Sequence, residues 1–503
     1  EAFDSKDVEK PYFMCEYSHS RGNTMGNLDR FWDFIENRGQ RTIGGCTWDW
    51  MDQNQCMPGE VTSRSYYGGD FGDKPNDGEG CCEGLITAYG EVTPKLTEVR
   101  KVYQYVDFAL AEDGKVALKN KYDFTDLDEF DLEWALLKDG YAIESGKMNA
   151  PSAKPDETVI IDIPYSRPDA EGEYFLNLSI LRKDEQEWAA PGHVEAYGQL
   201  ALREIQPQFT EFQPSRSDLS VTDEEGSLSF ARRGFSVTFD KNSGEMVSFI
   251  SRGLEMIHRN EGFRFNWFRT VSHDYDDFMH GKESTEVKSF TWSWSDEGSK
   301  AVVRTEMAAT VPSYVGGIAE LVPYTVEYTV YADGIVDVHA EFRTDDDFTL
   351  PRLGLAVSVT PGYENVTWYG LGPDENYADR EAAAWFGVFE STVDGMKEGY
   401  ARSQTMGNRG EVRWLALTDD KGRGLKITAG SELGFSALHF TDWDLVHTIR
   451  HNHDINLITL PQTILSLDCV QVGLGNGGID PLEEYRIRNN STYCLIFRVE
   501  GLQ

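Results

Sequence analysis

The 503-residue sequence is poor in cysteine and has no long apolar run. Its seven cysteines are odd in number and lack zinc-ribbon spacing, so they do not predict a disulfide framework or a structural zinc site. No stretch of about 18 apolar residues is present, which excludes an ordinary transmembrane helix. The first residues also lack the apolar segment that is typical of a signal peptide.

Basic residues are scarce as well. The chain has 47 lysines and arginines against 85 aspartates and glutamates, giving a net charge of −38. Such a surface repels phosphate backbones and anionic lipid head groups, so we expect neither nucleic acid nor a membrane as a partner. A hydrophobic content of 40% with 12% aromatic residues is typical of a folded protein. The composition predicts a soluble protein and leaves cytoplasm and periplasm open.

Residues 1–105 alternate between strand and helix patterns. An apolar run at 12–15 is followed by one apolar helical face, and a second run at 43–48 is followed by a helical pattern near 96–102. The first face carries Leu28, Phe31, Trp32 and Ile35. This pattern predicts two βα units, whereas a closed (β/α)8 barrel has eight.

Beyond residue 105 the apolar period changes to the alternation of strands. Residues 106–206 show short alternating runs between Gly, Asp and Pro turns, which predicts an immunoglobulin-like β-sandwich. Residues 207–503 carry many more such runs and predict a large antiparallel β-sandwich domain. One hairpin is predicted around 332–334, because apolar residues alternate on both sides of that turn.

Glu16 is the strongest candidate for chemistry. It ends an apolar strand pattern, and in a (β/α)8 barrel the reactive groups lie where strands end. Retaining glycosidases use two carboxyl groups about 5–5.5 Å apart, one of them as nucleophile. Tyr17 and His19 follow Glu16 directly, and Trp48 ends the next strand pattern with a flat face on which a sugar can stack. Trp50 is predicted to lie in the core.

Five segments together closely resemble the β-galactosidases of glycoside hydrolase family 2. They are CEYSHSRGN at 15–23, GGCTWDWMDQ at 44–53, YGGDFGDKPND at 67–77, YGLGPDENYADR at 369–380 and GNRGEVRW at 407–414. The resemblance implies a mainly β chain holding the last two βα units of the catalytic barrel, the sandwich and the large C-terminal domain. It also implies retaining hydrolysis of terminal β-D-galactosides.

The resemblance assigns roles to particular residues. Glu16 would be the nucleophile, His19 a contact to the sugar, Trp48 the galactose platform and Asp77 part of the adjoining polar loop, with Tyr17 beside the substrate. Family members often hold a sodium ion in this loop through a backbone carbonyl and an Asn. The corresponding positions here are Gly80 and Glu83, and a carboxylate also suits a hard cation.

Several family features are altered or lie outside this chain. The family's Met after the His segment is Arg21 here, and a Trp of the leaving-group subsite is Ile479. The natural galactoside is therefore left open. The general acid, a Glu that follows an Asn, and the Mg²⁺ ligands do not precede Glu16. The family resemblance implies Na⁺ and Mg²⁺ as cofactors, and the Mg²⁺ ligands are absent from this chain.

A glycine-rich segment near the end of the chain needs a separate interpretation. The segment GLGNGG at 473–478 fits a dinucleotide-binding fingerprint, but Pro481 follows where the phosphate-binding helix would begin. The sequence therefore predicts a turn or loop here.

Two functions remain open from the sequence. The first is the C-terminal portion of a retaining β-galactosidase, which carries the nucleophile, lacks the general acid and is inactive alone. The second is a non-catalytic carbohydrate-binding or assembly fragment that needs a complementing chain. The expected partners are a β-galactoside or related oligosaccharide and either a missing N-terminal half or further copies of the chain. Two βα units cannot cover Phe13, Phe31, Trp32, Trp48 and Trp50, so we expect exposed apolar surface.

Overall fold

Sheets dominate the fold. The computed structural model of the chain describes residues 10–37, 41–55, 57, 66–168, 170–271, 283–311, 320–447, 457–477 and 480–502. The α-helices in these ranges are short, the longest having ten residues. None of the described helices has the length and apolar character needed to cross a bilayer. The predicted mainly-β fold class is confirmed.

The first part of the chain contains two βα units, as predicted. Its elements are β1 (Tyr12–Tyr17), α1 (Leu28–Asn37), β2 (Thr42–Thr47) and α2 (Pro94–Val102). The two strands pair in parallel, with Tyr12 opposite Thr42 and Tyr17 opposite Thr47. The small core between the strands and helices is formed by Tyr17, Met25, Leu28, Leu85 and Val99.

This first part leaves large apolar side chains exposed. Phe13 is 50% exposed, Ile43 60% and Trp50 59%. The prediction that two βα units cannot cover their aromatic residues is therefore confirmed. The prediction that Trp50 belongs to the core is wrong, because this residue follows the end of β2 and no described element packs over it.

The second part is a sandwich of two antiparallel sheets. Its strands are β3 (Val106–Leu110), β4 (Val116–Asn120), β5 (Phe130–Lys138), β6 (Tyr141–Asn149), β7 (Thr158–Ile161), β8 (Tyr174–Arg182) and β9 (Val194–Arg203). The sheet orders are β3-β4-β7 and β6-β5-β8-β9. Alternate residues of β5, such as Leu132, Trp134 and Leu136, are buried between the sheets. That alternation follows from the two-residue period of a strand.

The third part contains the remaining strands and one short helix. In chain order they are β10 (Ser220–Asp223), β11 (Ser227–Arg232), β12 (Phe235–Asp240), β13 (Met246–Ser251), β14 (Leu254–Glu255), β15 (Arg264–Asn266), β16 (Ser284–Asp296), β17 (Lys300–Val311), β18 (Glu320–Tyr331), β19 (Ile335–Arg343), β20 (Arg352–Val359), β21 (Asn365–Gly372), β22 (Trp385–Thr392), β23 (Trp414–Thr418), β24 (Gly424–Ala429), β25 (Gly434–Leu438), α3 (Asp442–His447), β26 (Thr463–Gln471) and β27 (Thr492–Leu502). The predicted hairpin is confirmed, since β18 and β19 pair around the turn at 332–334.

These strands form three sheets around one large core. The sheet orders are β10-β11-β12-β13-β14, β15-β20-β26-β25 and β16-β17-β18-β19-β27-β24-β23-β21-β22. The nine-stranded sheet incorporates β27 at its centre, so the last strand of the chain lies between β19 and β24, which both precede it in the sequence. A buried ion pair joins this domain to the sandwich: Arg413 Nη2 lies 2.8 Å from Glu173 Oε1.

Candidate active site

Glu16 lies at the carboxyl end of β1 with its side chain about half exposed (46%). Its neighbour Tyr17 is buried, because successive side chains of a strand point to opposite faces. Two residues further on, His19 Nε2 lies 3.2 Å from Glu16 Oε2. The strand end therefore presents a carboxylate and an imidazole together on its accessible side.

Trp48 completes this group from the end of β2. Its backbone N–H donates to the Tyr17 carbonyl at 3.0 Å, and its carbonyl accepts from the Ser20 N–H at 2.7 Å. The centroids of the Trp48 and His19 rings are 6.5 Å apart, and Trp48 is 36% exposed. The parallel pairing of β1 and β2 thus places an apolar ring beside the carboxylate and the imidazole.

Tyr17 lies on the other side of the sheet from this group. Its hydroxyl is hydrogen-bonded to the Tyr103 hydroxyl, which also bonds Thr47 Oγ1 at 2.9 Å. The ring meets the edge of Phe31 with centroids 6.1 Å apart. Burial and the Tyr103 hydroxyl raise the pKa of Tyr17 far above its ordinary value. In this arrangement Tyr17 fixes the end of β1 against β2 and α1.

Asp77 and Gly80 lie in the polar loop between β2 and α2. Asp77 is exposed and precedes a 3₁₀ turn at Gly78–Cys81, where its carbonyl accepts from the Gly80 N–H at 3.1 Å. Among the described residues, no hydrogen bond joins Asp77 to Glu16, His19 or Trp48. The structure therefore brings together three of the predicted site residues and leaves Asp77 in an adjoining loop.

Glu83 is buried and already holds a cationic partner. Arg21 donates to Glu83 Oε1 from Nη2 at 2.7 Å and from Nε at 3.2 Å. No group of three or more His, Cys, Asp or Glu side chains within the described ranges could hold a metal ion. The Glu83 carboxylate is therefore already paired with a cationic side chain, and no step below involves a metal.

A buried lysine supports the turn that follows Glu16. Lys95 Nζ donates to the carbonyls of Ser20 at 2.7 Å and Gly84 at 2.5 Å. Burial lowers the pKa of Lys95 to about 8, while the nearby charge of Asp52 raises it. The Asp52 carboxylate accepts from the Gly84 N–H at 2.7 Å, so both groups fix the same loop. Lys95 lies outside the five segments quoted above, and Asp52 lies within 44–53 without an assigned role.

The large β domain also holds this turn. Asn23 Nδ2 donates to the Thr405 carbonyl at 2.9 Å, and the Gly26 N–H donates to the Gly475 carbonyl at 2.7 Å. Asn476 Nδ2 donates to Ser18 Oγ at 3.1 Å. The segment after Glu16 is therefore hydrogen-bonded to residues more than 350 positions away in the sequence.

Asp379 organises the loop that makes these contacts. Its two carboxylate oxygens accept the N–H groups of Leu474 and Gly475 at 2.8 and 2.9 Å. Its carbonyl accepts the Asn27 N–H at 2.6 Å. Gly477 has a φ of 50°, and a Cβ there would lie 2.4 Å from His19 Cβ, so a glycine lets the loop approach the site. The 473–477 segment is a loop rather than a dinucleotide site, as predicted.

Sequence reasoning missed Asp379 and Asn476 as parts of the site. Asp379 lies in the segment 369–380 and Asn476 in the glycine-rich segment, so both stand in motifs that were singled out for other reasons. The useful signal was the presence of a polar side chain in each of these two segments. Ile479, the predicted difference at the leaving-group subsite, lies outside the described residues.

Comparisons with family models and with curated proteins identify relatives of this chain. Three family models match: "Glycosyl hydrolases family 2, TIM barrel domain" at residues 2–108, "Beta-galactosidase, domain 4" at 116–203 and "Beta galactosidase small chain" at 231–499. The last alone covers more than half of the chain. The chain belongs to the β-galactosidases of glycoside hydrolase family 2. The resemblance predicted from the five sequence segments is confirmed.

Individual β-galactosidases match nearly the whole chain. The enzyme of Priestia megaterium (strain DSM 319 / IMG 1521) is 31% identical over 98% of this chain and 48% of the relative. That of Halalkalibacterium halodurans is 28% identical over 98% of this chain and 49% of the relative. The Lactobacillus delbrueckii subsp. bulgaricus enzyme is 30% identical over 86% of this chain and 42% of the relative. The chain thus spans about half the length of the curated β-galactosidases it matches.

Among solved structures, the galactose 1-epimerase from Lactobacillus acidophilus NCFM matches 57% of this chain and 99% of its own. The TM-score is 0.30 at 10% identity, and at that score the likeness carries no argument about fold or function.

Proposed function

We propose that this chain carries the nucleophile of a retaining β-galactosidase site. Glu16 attacks the anomeric carbon of a terminal β-D-galactoside, the aglycone leaves, and water then releases galactose from the galactosyl ester. The observation that supports this role is the grouping of the Glu16 carboxylate, the His19 imidazole and the exposed Trp48 ring at two parallel strand ends. A carboxylate at this place suits nucleophilic attack because it is accessible.

His19 and Trp48 position the sugar in this proposal. The imidazole lies 3.2 Å from Glu16, so it orients the carboxylate and can hydrogen-bond a galactose hydroxyl. The Trp48 ring supplies an apolar platform for the C–H face of galactose. Tyr17 acts indirectly, since its buried side chain fixes the strand end, and Asp77 contributes from the adjoining polar loop.

The general acid comes from outside the described residues in this proposal. Retaining hydrolysis needs a second carboxyl group about 5–5.5 Å from the nucleophile, on another strand of the barrel. The chain supplies two βα units, and its relatives are about twice as long. The remaining strands would also carry the Mg²⁺ ligands, and the described residues provide none of them by family resemblance.

A second candidate function is that of an assembly or carbohydrate-binding fragment. It is favoured by the exposure of Phe13, Ile43 and Trp50 around the two strands. Large apolar groups exposed together mark surfaces that contact another protein or chain. The two functions differ in one result: an assembly fragment restores turnover in a complementing chain even when Glu16 has been replaced.

Mechanism-based labelling tests the proposal. A 2-deoxy-2-fluoro galactosyl inactivator is incubated with the active β-galactosidase that contains these 503 residues, and the digested protein is analysed by mass spectrometry. The fluorine slows breakdown of the ester, so the label should map to the peptide around Cys15–Tyr17. Glu16→Gln keeps the shape of the side chain but removes the anion, and we expect turnover to collapse while substrate binding survives.

Asp33→Asn is the matched control. Asp33 is an exposed carboxylate on α1, and its replacement should leave labelling and turnover unchanged. Label on a carboxylate other than Glu16, or near-normal turnover in Glu16→Gln, would contradict the assignment and favour the assembly fragment.

A further inference from the structure

The ion pair of Arg21 and Glu83 occupies the place at which the family resemblance implies a sodium ligand. Two guanidinium nitrogens, Nη2 and Nε, lie 2.7 and 3.2 Å from the same oxygen, Glu83 Oε1. The Glu83 side chain is 11% exposed and that of Arg21 38%. The carboxylate is therefore shielded from water and has its charge balanced by the protein itself.

This pairing disfavours a sodium ion at Glu83. A bound cation needs oxygen ligands with free lone pairs, and hydrogen bonds to a guanidinium occupy those of Glu83 Oε1. Arginine remains charged at every pH at which the protein is folded, so it would repel a second cation at this distance. The two residues depart from the family pattern together, Arg21 replacing a Met and Glu83 an Asn, and the structure shows them in contact.

We propose that the Arg21 guanidinium supplies the positive charge assigned elsewhere in the family to sodium, so that this β-galactosidase works without sodium. The inference rests on the proposed function for its activity measurements. Arg21 is a positioning residue in this proposal, since it follows the nucleophile by five positions and touches neither Glu16 nor His19 through a described hydrogen bond.

The contacts of Glu83 explain how a fixed charge here bears on the site. The Glu83 carbonyl accepts from the Asp49 N–H at 2.5 Å and from the Ser20 hydroxyl. Asp49 follows Trp48, and Ser20 follows His19. The Glu83 carbonyl therefore joins the two strand ends that carry the imidazole and the aromatic ring, and the ion pair with Arg21 fixes the side chain of the same residue.

A salt exchange tests the inference on the active β-galactosidase that contains these residues. Turnover of an aryl β-galactoside and the melting temperature are measured in NaCl, KCl and choline chloride at equal ionic strength. We expect kcat/KM to differ by less than about twofold and the melting temperature to be unchanged. A fivefold loss of kcat/KM on removal of sodium, or a rise in melting temperature specific to sodium, would overturn the inference.

Arg21→Met gives the second arm of the test. It leaves the buried carboxylate without its partner, so we expect turnover to fall at least tenfold in KCl and to recover at least fivefold in NaCl. If the arginine were only structural, sodium would not restore the turnover of the variant more than potassium does. Equal turnover of the variant in both salts, whether high or low, would contradict the exchange of guanidinium for sodium.

Arg182→Met is the matched control. Arg182 pairs with Glu195 in the sandwich, with side chains that are 18% and 12% exposed, and its loss should create no difference between sodium and potassium. If Arg21→Met does not fold, the comparison on the unaltered enzyme decides alone. If the enzyme turns over no β-galactoside in any salt, the proposed function fails, while the melting temperatures still test the sodium inference.

Discussion

Replacing Asp379 by asparagine should loosen the loop at 473–477 and, through it, the turn that follows Glu16. Asp379 is 4% exposed, and its two carboxylate oxygens each accept one backbone N–H, from Leu474 and Gly475. An asparagine of the same shape keeps one acceptor and presents an NH₂ group to the other N–H. One charge-assisted hydrogen bond is therefore lost, and two donors face each other.

The loss of one charge-assisted hydrogen bond sets the size of the expected effect. A hydrogen bond to a charged group contributes about 1.5–3 kcal/mol, so we take a loss of about 2 kcal/mol in the free energy of local opening. Since about 1.4 kcal/mol corresponds to a tenfold change in an equilibrium constant, hydrogen exchange of the Leu474 and Gly475 amides should accelerate about 30-fold. The Gly26 amide should follow in the same direction, because it donates to the Gly475 carbonyl.

Hydrogen exchange followed by mass spectrometry measures this directly, on peptides that cover 18–28 and 472–477. A local measurement is needed because a chain with several separate hydrophobic cores is not expected to unfold in one step. Asp480→Asn is the matched control, since Asp480 is 75% exposed and its pair with Arg486 contributes little. Exchange in Asp379→Asn within about threefold of the unaltered chain would refute the argument that Asp379 holds the loop.

Two further predictions concern the chain as a whole. A polypeptide of these 503 residues alone should hydrolyse an aryl β-galactoside at least about 10²–10⁴-fold more slowly than an intact family member, because general acid catalysis is typically worth that factor; comparable turnover would contradict the proposed absence of the acid. Burial raises the pKa of Asp468 to about 7, and the charge of Arg352 offsets only part of this rise. Between about pH 4 and 7 the Asp468 carboxyl is therefore protonated in the folded chain and ionised in the unfolded chain. The stabilisation that protonated Asp468 contributes is present at low pH and is lost as the pH rises through 7. In calorimetry, the melting temperature of Asp468→Asn should therefore fall less over this pH range than that of the unaltered chain. Parallel plots of melting temperature against pH for the two proteins would contradict this.

Local patterns predicted much of the fold. The apolar face of α1 follows from the 3.6-residue period, and the hairpin of β18 and β19 follows from alternation on both sides of one turn. The position of Glu16 at a strand end was predicted for the same reason, since an apolar run of four residues precedes it. Each of these features is decided by residues close together in the sequence.

Contacts between distant residues could not be predicted in this way. Lys95 reaches the Ser20 carbonyl, and Asp379 binds N–H groups at 474 and 475, because the fold brings these elements together. Trp50 was expected in the core, yet whether a core forms around it depends on which elements cover the end of β2. Hydrophobicity gives a residue's preference for burial and does not identify its neighbours.

The small core around β1 and β2 explains why a distant loop belongs to the site. Five buried apolar residues hold the two βα units together, too few to fix a turn that must keep a carboxylate, an imidazole and an aromatic ring in register. Polar contacts from the large domain supply what this core lacks: Asn476 bonds Ser18, and Gly477 lies against His19. The position of Glu16, the proposed nucleophile, therefore depends on the third part of the chain as well as on β1, the strand that carries it. For this reason, the β domain matched by the small-chain family model has a direct part in the proposed chemistry while contributing no reacting group.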